Sequence, residues 1–432
     1  MSASPGMHTV LRLATAGSVD DGKSTLVGRL LYDSKSVLAD QLDSVERVSK
    51  DRGLETADLA LLTDGLRAER EQGITIDVAY RYFATTNRSF ILADCPGHVQ
   101  YTRNTVTGAS TADAIVVLVD VRKGLLEQTS RHLAVAALLR VPHVIVVVNK
   151  IDLVDYDQAA YEGVEIQVAE AAHLLGLPDV RTVPVSALTG ANVVDLSDKT
   201  PWYDGPSVLS LLEELPPADD PVHESFRFPV QFVIRPQSGA DERFRDYRGY
   251  AGQVAAGVVR VGDPVVVLPS GKATTIAGID TADGELAEAF APQSVTLRLA
   301  DDIDIARGDL IAAAADAPAP TQDVDGTVAW LSDPPLVPGA RVLLKHTTQT
   351  VQAVVKAVGG RLNLATAHLE PADRLELNDI GHVTLRLASP IVAEQYAVAR
   401  RTGAFLLIDA QDGNTLAAGM VGDALLAAKA AV

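Results

Sequence analysis

The sequence predicts a multidomain chain: an α/β domain with a doubly wound, mostly parallel sheet and a phosphate-binding loop, then two small β-barrels. Three observations predict it. Over residues 9–215, short apolar runs alternate with amphipathic segments, as buried strands and their covering helices do. Gly17–Ser24 reads G-x-x-x-x-G-K-[ST] between an expected strand and an expected helix. Beyond Pro221 the pattern changes to short alternating runs separated by Gly, Asp and Pro turns, which suits barrel strands. Domains are expected at 1–218, 223–318 and 321–432. Leu215–Pro221 reads as a linker, and the Ala/Pro-rich stretch Ala312–Gln322 as a second pause.

In the first domain, strands are expected at 10–16, 78–84, 89–94, 114–120, 143–149 and 181–186. Helices are expected at 22–32, 42–50, 57–71, 125–140, 157–175 and 206–214. The first barrel is expected to use 227–234, 252–259, 264–268, 272–279 and 294–299. The second is expected to use 324–331, 341–347, 350–358, 379–387 and 405–409.

Ligand loops of a doubly wound sheet gather at the carboxyl ends of its strands. Five motifs fall there, in order. In the first, Gly17, Ser18, Val19, Asp20, Asp21 and Gly22 wrap phosphates with inward N–H groups, and the following helix N-terminus adds partial positive charge. Lys23 reaches the β- and γ-phosphates, the Ser24 hydroxyl ligates Mg²⁺, and Thr25 completes the first turn. The second is GITI, Gly73–Ile76, where Thr75 supplies another hydroxyl to Mg²⁺ for as long as a γ-phosphate is bound. The third is DCPGH: Asp94 holds a magnesium-bound water, Cys95 and Pro96 line the turn, and Gly97 brings an N–H to the γ-phosphate. His98 follows and is read as the residue that orients the attacking water. The fourth is NKID: Asp152 accepts from the guanine N1–H and 2-amino group, Asn149 ties the loop down, and Lys150 lays its stem along the base. The fifth is Ser186-Ala187, whose Ala187 N–H is expected at guanine O6. Together they imply GTP binding and hydrolysis with Mg²⁺.

Composition narrows the partners. The 432 residues carry a net charge of −19, which argues against a nucleic-acid partner, since such binding draws on clustered Lys and Arg. No apolar run reaches the length of a membrane span. The N-terminus lacks the charged and apolar regions of a secretion signal, and the lone cysteine, Cys95, cannot form an internal disulfide. A cytoplasmic location is expected. Cys95 has no identifiable basic partner and reads as a small buried residue, not a nucleophile.

A phosphate-loop domain followed by two barrels resembles the elongation factor Tu/1A class. Longer strings resemble one branch, the large GTPase subunit of bacterial sulfate adenylyltransferase: Asp58–Ile76, Asp77–Phe83, Asp94–Asn104 and Arg122–His132. In the barrels, Asp246–Gly252, Asp302–Asp309, Leu377–Gly381 and Arg401–Phe405 do the same, whereas Ala393–Arg400 is looser than the family pattern. The resemblance implies a subunit whose GTP hydrolysis is coupled to forming adenylylsulfate and pyrophosphate from ATP and sulfate. The adenylyl transfer is implied on a small ATP-pyrophosphatase-like partner, in sulfate assimilation toward cysteine. G-x-x-x-x-G-K-[ST] occurs once, so a fused adenylylsulfate kinase is not expected. The alternative is an elongation factor that delivers aminoacyl-tRNA, which shares the five motifs and the barrels.

Overall fold

The structure is a computed structural model. It describes residues 10–35, 43, 45, 47–49, 59–62, 77–216, 221–236 and 246–423. The chain divides into two compact units at Ala218/Asp219, the second taking residues 219–362 and 369–427.

The first unit is built from β1 (Val10–Gly17), α1 (Lys23–Asp33), β2 (Ala79–Ala84), β3 (Ser89–Asp94), α2 (Thr102–Ala109), β4 (Ala114–Asp120), α3 (Glu127–Leu138), β5 (His143–Asn149), α4 (Gln158–Leu175), β6 (Val180–Pro184) and α5 (Val208–Glu214). The strands lie in the order β2-β3-β1-β4-β5-β6, with β2 antiparallel and the rest parallel. All seven residues of β4 are buried, which is why it reads as an unbroken apolar run. Leu11, Leu13, Leu26, Leu30, Val116, Leu118 and Val147 form part of a continuous core. Register aligns the functional ends: Thr15 lies beside Asp94, and Asp120 beside Asn149.

Strands agree with the expectation to within one residue at most ends. The expected 181–186 ends at Pro184, and the helices at 22–32, 125–140, 157–175 and 206–214 are α1, α3, α4 and α5 with trimmed ends. The helix α2 was not expected. Its sequence, TRNTVTGA, is rich in β-branched Thr and contains Gly, both poor helix formers, and burial of Thr102, Thr105 and Val106 overrides that preference. Most of the expected helices 42–50 and 57–71 lies outside the described residues.

The second unit contains two closed six-stranded barrels. The first runs Pro264–Leu268, Leu310–Ala313, Arg227–Ile234, Gly249–Gln253, Ser294–Leu299 and Lys272–Thr281, closed by pairing of its first and last strands. Phe228, Tyr250, Val265 and Leu297 fill it. The second runs Arg341–His346, Ala404–Ile408, Thr415–Val421, Thr321–Trp330, Ile380–Ile391 and Gln349–Asn363, closed the same way around Val328, Leu344, Leu385 and Leu407. The expected strand 252–259 is instead two, Gly249–Gln253 and Val258–Arg260. Between them Gly257 has φ +74°, and a Cβ there would meet Phe226 N at 2.5 Å. The expected pause at Ala312–Gln322 is entered by strands from both sides, because Leu310–Ala313 and Thr321–Trp330 extend into it.

One buried cation joins the barrels. Arg227, from the first, donates from Nε and Nη2 to the Glu394 carboxylate of the second at 3.0–3.2 Å, and its Nη1 lies 3.3 Å from Asp316. Thr402 Oγ1 also donates to Glu394, at 2.7 Å. Among the described residues no helix is long and apolar enough to cross a membrane.

Candidate nucleotide site

β1 delivers the chain into the phosphate loop, and α1 begins where the loop ends. Gly22 is the N-cap of α1 with φ +97°, and a Cβ there would stand 2.3 Å from Asn149 Nδ2. Only glycine satisfies both demands. Asp20 also adopts a positive φ, 65°. Asp21 folds its carboxylate back to accept from Ser18 N–H at 3.0 Å. Burial raises the Asp21 pKa, against the pull of Lys123 and Lys23.

Lys23 is 8% exposed and donates from Nζ to Gly17 O at 2.8 Å and Ser18 O at 3.2 Å. Burial lowers its pKa, opposed by Asp94 and Asp21. Both acceptors are neutral carbonyls of the loop itself. Gly97 approaches so closely that a Cβ would lie 2.3 Å from Lys23 Nζ. Asp94, at the end of β3, is 1% exposed and accepts from Thr15 Oγ1 at 2.9 Å. Lys23, Asp94 and Gly97 are therefore brought to one place. Ser24 and Thr25 sit half-buried in the first turn of α1, as does Val19 in the loop. His98 is half-buried, with its ring edge-on to Tyr101 at 6.1 Å between centroids. Pro96 is buried, and so is Cys95, whose thiol burial pushes up out of the reactive range. Thr75 lies outside the described residues.

The base-side loops are laced to the phosphate loop. Asn149 Nδ2 donates to Asp21 O at 2.7 Å, and its Oδ1 accepts from Ala187 N–H at 3.0 Å. The Ala187 N–H, expected at guanine O6, donates here to Asn149, which ties three loops together. Ser186 is buried and accepts from Thr189 N–H at 3.2 Å. Lys150, with φ 64°, donates to Asp20 O and lies 3.1 Å from Asp120. Asp152 is half-buried in the turn Ile151–Val154.

Sequence reasoning missed one wall. Gln128, Thr129 and His132 of α3 are buried, and Thr129 Oγ1 lies 3.4 Å from Ser18 Oγ. Gln128 Nε2 lies 3.3 Å from His132 Nε2. Burial first, then Lys23 and Arg131, pushes the His132 pKa down to about 3. The available signal was a polar i, i+1, i+4 strip on a helix face that the sheet must cover.

A buried cation that donates to neutral loop carbonyls, beside a glycine no side chain can replace, fits a polyphosphate. A hydroxyl at Ser24 and a carboxylate at Asp94 are hard oxygen donors of the kind magnesium takes.

The elongation factor Tu GTP-binding domain matches residues 8–215, and the GTP-eEF1A C-terminal domain-like family matches residues 323–422. Sulfate adenylyltransferase subunit 1 of Cellvibrio japonicus (strain Ueda107) is 46% identical over 420 residues, covering 97% of this chain and 88% of that protein. The chain belongs to the sulfate adenylyltransferase subunit 1 family. Its first domain is a GTP-binding domain of the elongation factor Tu type. The bifunctional enzyme CysN/CysC of Mycobacterium tuberculosis (strain ATCC 25618 / H37Rv) is 55% identical over 417 residues, 96% of this chain and 67% of that protein. A crystal structure of sup35 complexed with GDP aligns over 96% of this chain and 94% of its own, at 23% identity and a TM-score of 0.43.

Proposed function

We propose that this chain is the GTP-hydrolysing subunit of sulfate adenylyltransferase. It couples GTP hydrolysis to the formation of adenylylsulfate and pyrophosphate from ATP and sulfate on a small ATP-pyrophosphatase-like partner, in sulfate assimilation toward cysteine. The supporting observation is the meeting of Lys23, Asp94 and Gly97 at the strand ends, in a chain that matches subunit 1 along nearly its whole length.

The residues then act as follows. Lys23 exchanges its two loop carbonyls for β- and γ-phosphate oxygens. Ser24 and Thr75 would hold Mg²⁺, with Asp94 acting through water, and the bound ion would supply positive charge against the phosphates. The Gly97 N–H senses the γ-phosphate, and His98 orients the attacking water. Asp152 accepts two hydrogen bonds from guanine, each worth about 1.5–3 kcal/mol to a charged group. Adenine offers neither, so discrimination of about 10²- to 10⁴-fold is expected. Loss of the γ-phosphate frees the contacts of Thr75 and Gly97, and this change is what a partner senses.

Formation of the sulfate–phosphate anhydride is uphill, so coupling is the decisive property. The chain is co-expressed with the small subunit from the same source, and adenylylsulfate is followed from ATP and sulfate. GTP is expected to raise the yield well above the GTP-free equilibrium, and a non-hydrolysable analogue is not. Yields indifferent to GTP cleavage, with tight binding of aminoacyl-tRNA instead, would favour the delivery-factor reading. The net charge of −19 speaks against that reading.

A further inference from the structure

We propose that Asp120 is a positioning residue for the base pocket, holding the Lys150 ammonium so that the lysine stem lies ready along the guanine ring. The inference rests on the base-pocket reading given above. Asp120 ends β4 directly beside Asn149 at the end of β5, and the adjoining Val121 N–H donates to Asn149 O at 3.0 Å. Its side chain has no exposure, yet it carries a charge and gathers donors from two directions. Lys150 Nζ approaches Oδ2 at 3.1 Å. Arg122 grips the carboxylate with Nε at 2.9 Å from Oδ1 and Nη2 at 2.6 Å from Oδ2, and its backbone N–H adds a bond to Oδ1 at 3.0 Å.

This arrangement has a directional logic. Arg122 is half-exposed and fixes the plane of the carboxylate from the solvent side. Oδ2 is thereby turned toward Lys150. On its other side the Lys150 ammonium donates to Asp20 O of the phosphate loop. Lys150 also holds a left-handed backbone, a conformation that persists in a non-glycine residue only when its surroundings impose it. Burial would raise the Asp120 pKa, but hydrogen bonds from Arg122 and Lys150 outweigh it and keep the carboxylate ionised far below the usual range. A long flexible lysine fixed before the nucleotide arrives has less freedom left to lose on binding. The effect is expected on how long a nucleotide stays, acting through Lys150 and not on the phosphates.

The test uses the full chain and the release of N-methylanthraniloyl-GDP, chased by GDP or by ADP. Asp120→Asn is expected to speed release about ten- to fiftyfold, as loss of a charge-assisted contact implies. The KM for GTP should rise in step, and the single-turnover hydrolysis step should change far less. In a Lys150→Met background, which keeps an apolar stem without the ammonium, Asp120→Asn should add less than about threefold, the signature of two residues acting as a pair. Unchanged release in Asp120→Asn, or the same acceleration with and without the Lys150 ammonium, overturns the proposal. If Asp120→Asn does not fold, Asp120→Glu takes its place, with a smaller acceleration that must likewise vanish in the Lys150→Met background. The chase separates the two readings: wild-type chain chased equally by ADP loses the base pocket and this inference with it. A guanine-selective chain with an inert Asp120→Asn loses only the inference.

Discussion

Lys23 and Arg227 are both buried cations, and they are satisfied in opposite ways. Lys23 rests on two neutral carbonyls of its own loop. Arg227 is locked against the Glu394 and Asp316 carboxylates. A cation on carbonyls gains when an anion replaces them, so it is poised for a ligand. A cation already neutralised by carboxylates has nothing to gain, and it serves as a permanent joint between the two barrels. The same chain thus builds one exchangeable charge and one fixed charge, and the acceptor type separates them.

Each cation can be removed by a single substitution. Arg227→Met leaves the part-buried Glu394 without its cation and is expected to cost about 3 kcal/mol in chemical denaturation, with GTP affinity unchanged. Adding Glu394→Leu should recover most of that loss, and failure to recover it would mean that the cluster does more than pair charges. Lys23→Met removes a cation whose hydrogen bonds go to loop carbonyls. It is expected to weaken GTP binding about 10²- to 10³-fold, read by calorimetry, while the melting temperature does not fall. Parallel losses of binding and stability would erase the distinction.

His98 sharpens the ligand side. His98→Ala is expected to slow single-turnover GTP hydrolysis about 10²-fold while affinity stays within about threefold, since a water-orienting group acts on the step and not on the ground state. The smallest effect concerns His132, buried behind the phosphate loop and pushed down to about 3. In the unfolded chain this imidazole takes a proton below about pH 6.5, whereas the folded one does not. Its contribution is therefore full above that pH and is withdrawn as pH falls toward 3. Between pH 6.5 and 5 the wild type should lose about 2 kcal/mol more than His132→Gln. Identical acid profiles would contradict a neutral, buried His132.

Much of the first unit was legible because its strands are buried on both faces and must be apolar throughout, as β4 and β5 are. The motif residues Gly17–Lys23, Asp94, Gly97 and Asn149 were legible for a different reason: each demands a residue type that few others can replace. What stayed hidden depends on neighbours distant in sequence. The helix α2 forms against its own propensity because the sheet covers Thr102 and Thr105. Short strands beside the barrel wall such as Gly284–Leu286 and Glu288–Phe290 carry too few residues to show alternation, and Thr415–Val421 is mostly small side chains. The engagement of the Ala187 N–H by Asn149 and the grip of Asp120 on Lys150 join separate loops that no local pattern connects.

The most direct measurement of the central claim is nucleotide competition on the purified chain, comparing GTP, ATP and xanthosine triphosphate for wild type and Asp152→Asn. The account predicts that GTP outcompetes ATP by about 10²-fold or more in the wild type, and that preference moves to xanthosine triphosphate in the variant. Comparable affinity for ATP and GTP, or a GTP preference unmoved by Asp152→Asn, would contradict it.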